Sequence, residues 1–271
     1  MIGFNFLGTL GQLGNQMFQY ASLKGIARKN GYNFCIPNHD KVFNDGLGNK
    51  LRIELFDPFV LKNFSDLNAQ KIDENRPVVQ EGTFEFNEGL FNKCPDWVSL
   101  WGFFQTEKYF KHIQDEIRED FTFNDDILEP CKEMMSQFDE VPISLHIRRG
   151  DFLINSANHH NLGLDYYEKA LLEFPTNIPV LIFSDDPEWC SNQELFSDDR
   201  FLIAEGNSSY VDLCLMSLCE AHIIANSSFS WWGAWLSNSE KVVAPSIWFG
   251  PNNAHLDTKD IYCDHWHIID T

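Results

Sequence analysis

The chain has 271 residues, of which 44% are hydrophobic, 14% aromatic and 22% charged, a balance that fits a folded protein of one large α/β domain or two small ones in tandem. Asp and Glu number 40 against 20 Lys and Arg, and the formal net charge of −20 weighs against nucleic acid or an anionic membrane surface as a partner. The 7 cysteines are odd in number and lack any Cys-x-x-Cys spacing, which points to reduced thiols, and with no basic leader or bilayer-length apolar run a soluble, cytoplasmic protein is expected.

In chain order, an apolar run at residues 2–7 predicts a strand. A glycine-rich turn follows, then a helix over about 15–29 whose Met17, Phe18, Ala21 and Ile26 can face a core. Residues 38–95 are rich in Asn, Asp and Gly and predict loops with short elements, before a strand at 98–104 and a helix at about 107–119. From 141 onward the pattern is regular. Strands are expected at 141–147, 180–183, 201–204, 222–225 and 242–244, with helices at 166–174, 188–196, 211–221 and 229–236 between them. Such β-α alternation is the mark of a doubly wound parallel sheet, and two Rossmann-like units meeting near residue 140 account for the order with the fewest assumptions.

Ligands of open α/β sheets bind beyond the carboxyl ends of the strands, and the polar motifs fall there. Gly8-Thr-Leu-Gly11-Gln-Leu-Gly14-Asn15-Gln16 lies between a strand and a helix, where backbone can approach an anion. It is neither a G-x-G-x-x-G fingerprint nor a P-loop, so a dehydrogenase or P-loop kinase is not expected. His146-Ile-Arg148-Arg149-Gly-Asp151 places two guanidinium groups at a strand end, in a chain poor in cations; the fork of arginine suits a diphosphate. Adjacent strand residues point to opposite faces, so one arginine can bind phosphate while the other braces the site. Ser184-Asp185-Asp186 and Asn226-Ser227-Ser228-Phe229 follow the next candidate strands, the latter opening a helix with hydroxyls and free N–H groups. The tryptophans at 231, 232 and 235 read as core, and Asp264-His-Trp-His267 as a C-terminal surface segment rather than a metal site.

Five stretches taken together resemble the successive motifs of the α-1,2-fucosyltransferases of glycosyltransferase family 11. They are Gly11-Gln-Leu-Gly-Asn-Gln-Met-Phe-Gln-Tyr-Ala21, Gly102-Phe-Phe-Gln-Thr-Glu-Lys-Tyr-Phe110, His146–Asp151, Phe183-Ser-Asp-Asp186 and Ile224–Leu236, in family order across nearly the whole chain. The resemblance implies a GT-B fold, two Rossmann-like domains facing a cleft, with residues 1–140 on the acceptor side and 141–271 binding GDP-fucose. It also implies fucose transfer with inversion to the 2-hydroxyl of a β-galactoside-terminated glycan, with GDP-fucose as co-substrate and no metal or other cofactor. Arg148 then matches the arginine on the donor β-phosphate, with Arg149 beside it. His146 and Asp212 match positions around the nucleoside, Asp185 sits in the second shared motif, and Ser227, Ser228 and Phe229 match the phosphate-binding helix start. Asn15 matches the glycine-loop Asn that reaches the donor from the other domain. Asp151 and His146 are both candidates for a general base, and Asp151 is also a candidate for holding an arginine. Two other readings stand beside this one: a transferase of the protein O-fucosyltransferase kind, and a glycan- or nucleotide-binding protein without catalysis.

Overall fold

The computed structural model describes residues 1–46 and 48–271, which form two compact units: residues 1–124 with 257–263, and residues 125–256 with 264–271.

The first unit contains β1 (Ile2–Gly3), α1 (Leu13–Asn30), β2 (Phe34–Cys35), β3 (Phe43–Asn44), β4 (Lys50–Leu51), β5 (Val78–Gln80), α2 (Glu88–Lys93), β6 (Ser99–Trp101) and α3 (Gln114–Asp120). Its four-stranded sheet is parallel throughout, in the order β2-β1-β6-β5, while β3 and β4 form a separate antiparallel pair. The order reverses between β1 and β6. Helix α1 starts from extended Gln12 and stops at Gly31, which takes a left-handed φ of 68° that a β-carbon would disfavour. Met17, Phe18, Ala21 and Ile26 are buried as the periodicity requires. Lys24 is buried as well, and its charge is met by Asp120 at 2.5 Å, which also accepts from the Tyr20 hydroxyl at 2.8 Å and the Asn63 N–H at 2.9 Å. A buried ion pair is tolerable only with its remaining hydrogen-bonding capacity filled in this way.

The expected helix at 107–119 is broken into 3₁₀ turns at Glu107–Tyr109 and Lys111–Ile113 before α3. Phe110 leaves helical geometry, with φ −131° and ψ 2°, and both Tyr109 and Phe110 are fully buried. The segment lies against α1, where a β-carbon on Gly25 would stand 2.0 Å from the Tyr109 carbonyl oxygen.

The second unit contains α4 (Asp125–Met135), β7 (Ile143–Ile147), α5 (Gly150–Ile154), α6 (Leu164–Leu171), β8 (Val180–Ser184), α7 (Pro187–Ser191), β9 (Phe201–Ile203), α8 (Ser209–Ser217), β10 (Ala221–Ile223), α9 (Ser228–Ser237), β11 (Val242–Pro245) and β12 (His267–Ile269). The sequence reading put a boundary near 140, whereas α4 groups with the second unit, its Cys131 buried against the Val211 carbonyl of α8. All six strands are parallel, in the order β9-β8-β7-β10-β11-β12. The chain runs outward from β7 through β8 to β9, then returns to the other side of β7 with β10. That reversal is a topological switch point, the place where an open α/β sheet leaves a crevice between diverging loops. Ile143, Leu145, Ile147, Val180, Ile182, Ile223 and Val243 are buried among Tyr166, Tyr167, Ala170 and Phe174, and the alternate positions Ser144, His146, Leu181, Phe183 and His222 are buried too, so these strands are covered on both faces. The tryptophans of α9 are core residues: Trp231 and Trp232 are fully buried and meet edge to face at 5.0 Å. Of the segment Asp264–His267, Asp264, His265 and His267 are exposed, as a surface segment requires, while Trp266 is buried against Trp231 at 5.4 Å, and His267–Ile269 form the edge strand β12.

Candidate active site

Strand β7 ends at Ile147, and register decides what meets the arginines that follow. Ile147 lies opposite Ser184 of β8, so Arg148 and Arg149 emerge beside Asp185 and Asp186. Arg148 places one Nη atom 2.8 Å from Asp185 and the other 2.5 Å from Asp151, in the first turn of α5. Its guanidinium also lies over the Phe152 ring at 5.2 Å, and Phe152 in turn stacks on His159 at 4.0 Å. Two of the five donors of the guanidinium are thus turned to carboxylates, and the fork is held in one plane by a ring beneath it.

Arg149 diverges from its neighbour, as alternate strand positions require. Its Nε–H donates to Asp186 at 2.9 Å, and its guanidinium lies 3.9 Å from the centre of the Trp189 ring. Its backbone N–H donates to Asp185 at 2.8 Å. Gly150 is needed beside it, because a β-carbon there would stand 2.4 Å from an Asp185 oxygen. Asp186 also caps α7, accepting from the Trp189 N–H at 3.2 Å, and the arginine bond holds its carboxyl below the usual range.

His146, two residues before Arg148 on the same face of β7, is 5% exposed, and its Nδ1 is buried without a hydrogen-bond partner. Burial first, then the Arg148 charge, push its pKa down to about 3, so the imidazole is neutral at physiological pH. Its ring meets Phe229 at 5.8 Å across the β7/β10 switch point. An unfilled buried nitrogen is costly inside a folded core, which makes it a candidate ligand contact rather than a packing device.

Ser227 caps α9, its hydroxyl accepting from the Phe229 N–H at 3.3 Å, and Ser228 and Phe229 form the first turn, where the positive end of the helix dipole lies. Asn226, buried at the end of β10, donates to the carbonyls of His160 at 2.9 Å and Trp248 at 2.8 Å and so pins this helix start to two neighbouring loops.

The structure therefore brings His146, Arg148, Asp151, Asp185 and Phe229 together at the switch point, with Ser227 and Ser228 on the turn that carries Phe229. Asp212 lies in the first turn of α8, where it accepts from Asn207 at 3.0 Å and burial raises its carboxyl pKa. Asn15 belongs to the first unit. There its side-chain carbonyl accepts from Gln105 at 2.5 Å, joining the first turn of α1 to the loop after β6. Sequence reasoning passed over Phe152, Trp189 and Gln105 as working parts; Gln105 lies inside a quoted motif, but only strand order reveals its partner.

Residues 2–270 match Glycosyl transferase family 11. The chain belongs to that family. It is therefore a glycosyltransferase. It is 32% identical to an Escherichia coli "Alpha-1,2-colitosyltransferase", over 96% of this chain and 97% of that one. It is 25% identical to the Sus scrofa "Galactoside alpha-(1,2)-fucosyltransferase 1", over 86% of this chain and 65% of that protein. Among solved structures, POFUT1 in complex with GDP matches with a TM-score of 0.53 at 13% identity, over 88% of this chain and 94% of that one. The likeness carries the fold: parallel-sheet α/β units of the GT-B type. Among the described residues no helix is long and apolar enough to cross a membrane.

Proposed function

We propose that the chain transfers L-fucose from GDP-fucose to the 2-hydroxyl of a β-galactoside, with inversion at the fucose anomeric carbon. The observation that carries the reading is the switch point of the second unit. There an ion-paired arginine, an unpartnered neutral imidazole and a serine-capped helix start converge, in a chain whose relatives include a galactoside α-1,2-fucosyltransferase.

Cleavage of the fucose–phosphate bond leaves an oxocarbenium-like sugar and a β-phosphate that gains negative charge. Stabilising that leaving group is the main demand on the protein. Arg148 meets the charge with its remaining N–H donors, and Asp151 and Asp185 hold the guanidinium in place before the substrate arrives, so little reorganisation accompanies bond cleavage. The helix start at Ser227–Phe229 offers hydroxyls and backbone N–H groups to the same diphosphate. Arg149, stacked on Trp189 and paired with Asp186, braces the loop. His146 offers a neutral ring nitrogen to the nucleoside side. Because Asp151 is engaged by Arg148, it acts as that arginine's anchor, and solvent takes the acceptor proton late, after the sugar has become electrophilic, on the face opposite the departing GDP. With phosphate charge met by arginine and helix, the reaction needs no divalent metal.

A second reading, colitosyl transfer, has a specific observation behind it: the 32% identical relative carries that name, and both names specify a 1,2 linkage. Competition between GDP-fucose and a colitosyl nucleotide, with a galactoside acceptor in excess, separates the two. Preference for GDP-fucose by kcat/KM upholds the proposal, and preference for the colitosyl donor replaces it.

A further inference from the structure

The first unit has a switch point of its own, between β1 and β6, and its loops are tied together by amides. Gly11, with φ +83°, leaves no room for a β-carbon, which would stand 2.1 Å from the Asn15 amide nitrogen. Gln105 then donates to the Asn15 carbonyl at 2.5 Å, so the end of Asn15 offered to a ligand is its NH₂ donor. Gln19 joins the same loops by donating to the Leu10 carbonyl at 2.9 Å and the Gly102 carbonyl at 3.2 Å.

The loop that carries Gln105 has an unusual backbone. Gly102 has φ +152° and Phe104 has φ +53°, a conformation that costs a non-glycine residue about 1–2 kcal/mol. Successive N–H groups next to a left-handed residue form a concavity that suits an anion. Here the concavity is filled from within the chain. Glu81 leaves β5 beside β6, and its carboxylate accepts from the Phe103 N–H at 2.7 Å and the Phe104 N–H at 3.0 Å. Gly102 allows the approach, since a β-carbon there would stand 2.4 Å from the Glu81 side chain. Phe104 itself is locked by edge-to-face packing on Phe4 and Tyr109. The turn is itself buried at Gly102, Phe104 and Gln105, so its N–H groups need an acceptor, and they receive it from a carboxylate that burial makes harder to ionise and the two N–H bonds make easier.

We propose that Glu81 is a positioning residue for sugar transfer: its carboxylate holds the 102–105 turn, which sets Gln105, which fixes the rotamer of Asn15. The inference rests on the fucosyl-transfer reading and deepens it by assigning a support to Asn15, whose NH₂ suits a sugar hydroxyl or a phosphate oxygen.

The test uses the full chain as wild type, Glu81→Gln, Glu81→Asp, Gln105→Ala and the Glu81→Gln/Gln105→Ala double variant, assayed with GDP-fucose and a galactoside. Losing one charged acceptor is expected to lower kcat about ten- to a hundredfold in Glu81→Gln, with KM for GDP-fucose changed less than about threefold. Glu81→Asp, which keeps the charge, is expected to recover part of that loss. The double variant should be no slower than the slower single one, because both act through Asn15. Unchanged kcat in Glu81→Gln, or losses that multiply in the double variant, would overturn the proposal. A separate readout does not depend on the donor: NMR of the Asn15 side-chain amide, with hydrogen exchange at Phe103 and Phe104. Glu81→Gln should shift the Asn15 resonances and speed exchange at both amides about tenfold or more. If neither moves, the assignment of Glu81 fails even where the wild type turns over GDP-fucose. If both move while the wild type does not use GDP-fucose, the functional reading fails and the Glu81–Asn15 link stands.

Discussion

The carboxyl edges of the two parallel sheets are built from the same strand-end geometry and opposite chemistry. In the second unit the edge is ionic: Arg148 between Asp151 and Asp185, and Arg149 on Asp186 and Trp189. In the first unit it is made of amides, Asn15, Gln19 and Gln105, and the inserted carboxylate of Glu81 accepts from backbone N–H groups. The difference teaches that strand order positions a site while side-chain chemistry decides its ligand. Guanidinium and a helix start suit a diphosphate, and neutral amides suit hydroxyls.

The largest expected effect breaks the ionic edge. Arg148→Ala should lower kcat/KM by about a hundred- to a thousandfold, equivalent to about 2.7–4 kcal/mol of lost transition-state stabilisation. The melting temperature should change little, since the guanidinium is partly exposed and no core packing is lost; steady-state kinetics and a thermal melt check both. Arg149→Ala should cost less, because its carboxylate and ring partners brace a loop. Equal losses in the two variants would erase the distinction between binder and brace. At the amide edge, Asn15→Ala should lower kcat about ten- to a hundredfold, at least as much as Glu81→Gln, which acts through it.

Two histidines sharpen the contrast inside the second unit. His222 on β10 is as buried as His146, and its pKa is likewise pushed down to about 3 by burial. Its ring, however, has partners in the Ser237 hydroxyl at 2.8 Å and the Cys219 backbone. His222→Leu should therefore destabilise the fold by about 1–3 kcal/mol, while His146→Leu should leave stability within about 1 kcal/mol and weaken GDP binding, as urea melts and calorimetry will report. Both rings bind a proton more readily in the unfolded chain than in the folded one. Between pH 6.5 and about 3 the unfolded state holds the extra protons, so stability falls as pH falls through that window. Each ring adds a slope of up to about 1.4 kcal/mol per pH unit, and each Leu variant should flatten the urea-derived profile between pH 6.5 and 5. The smallest expected effect is none: EDTA should leave transfer unchanged, and loss of activity restored by a divalent cation would show that the arginine edge is insufficient alone.

The second unit was legible because its strands, buried on both faces, leave short, largely apolar segments separated by amphipathic helices. The first unit was less so. Ile2–Gly3 and Phe34–Cys35 are too short to show a period, and the 107–119 stretch follows the demands of packing on Gly25 rather than its own helical pattern. At the site, the arginines stood out against an acidic composition, but their partners depended on the β7/β8 register, which no local pattern contains. Gln105 and Glu81 were hidden for the same reason, since β6 lies beside both β1 and β5 although the chain visits them far apart.

The most direct measurement is NMR of the product formed from GDP-fucose and lactose by the wild type and by Arg148→Ala. The wild type should release GDP and yield one trisaccharide, with an α-fucosyl anomeric proton coupled to C2 of galactose, while Arg148→Ala should yield almost none. Intact GDP-fucose with the wild type across a panel of β-galactosides, a linkage at another hydroxyl, or near-normal product from Arg148→Ala would contradict the assignment.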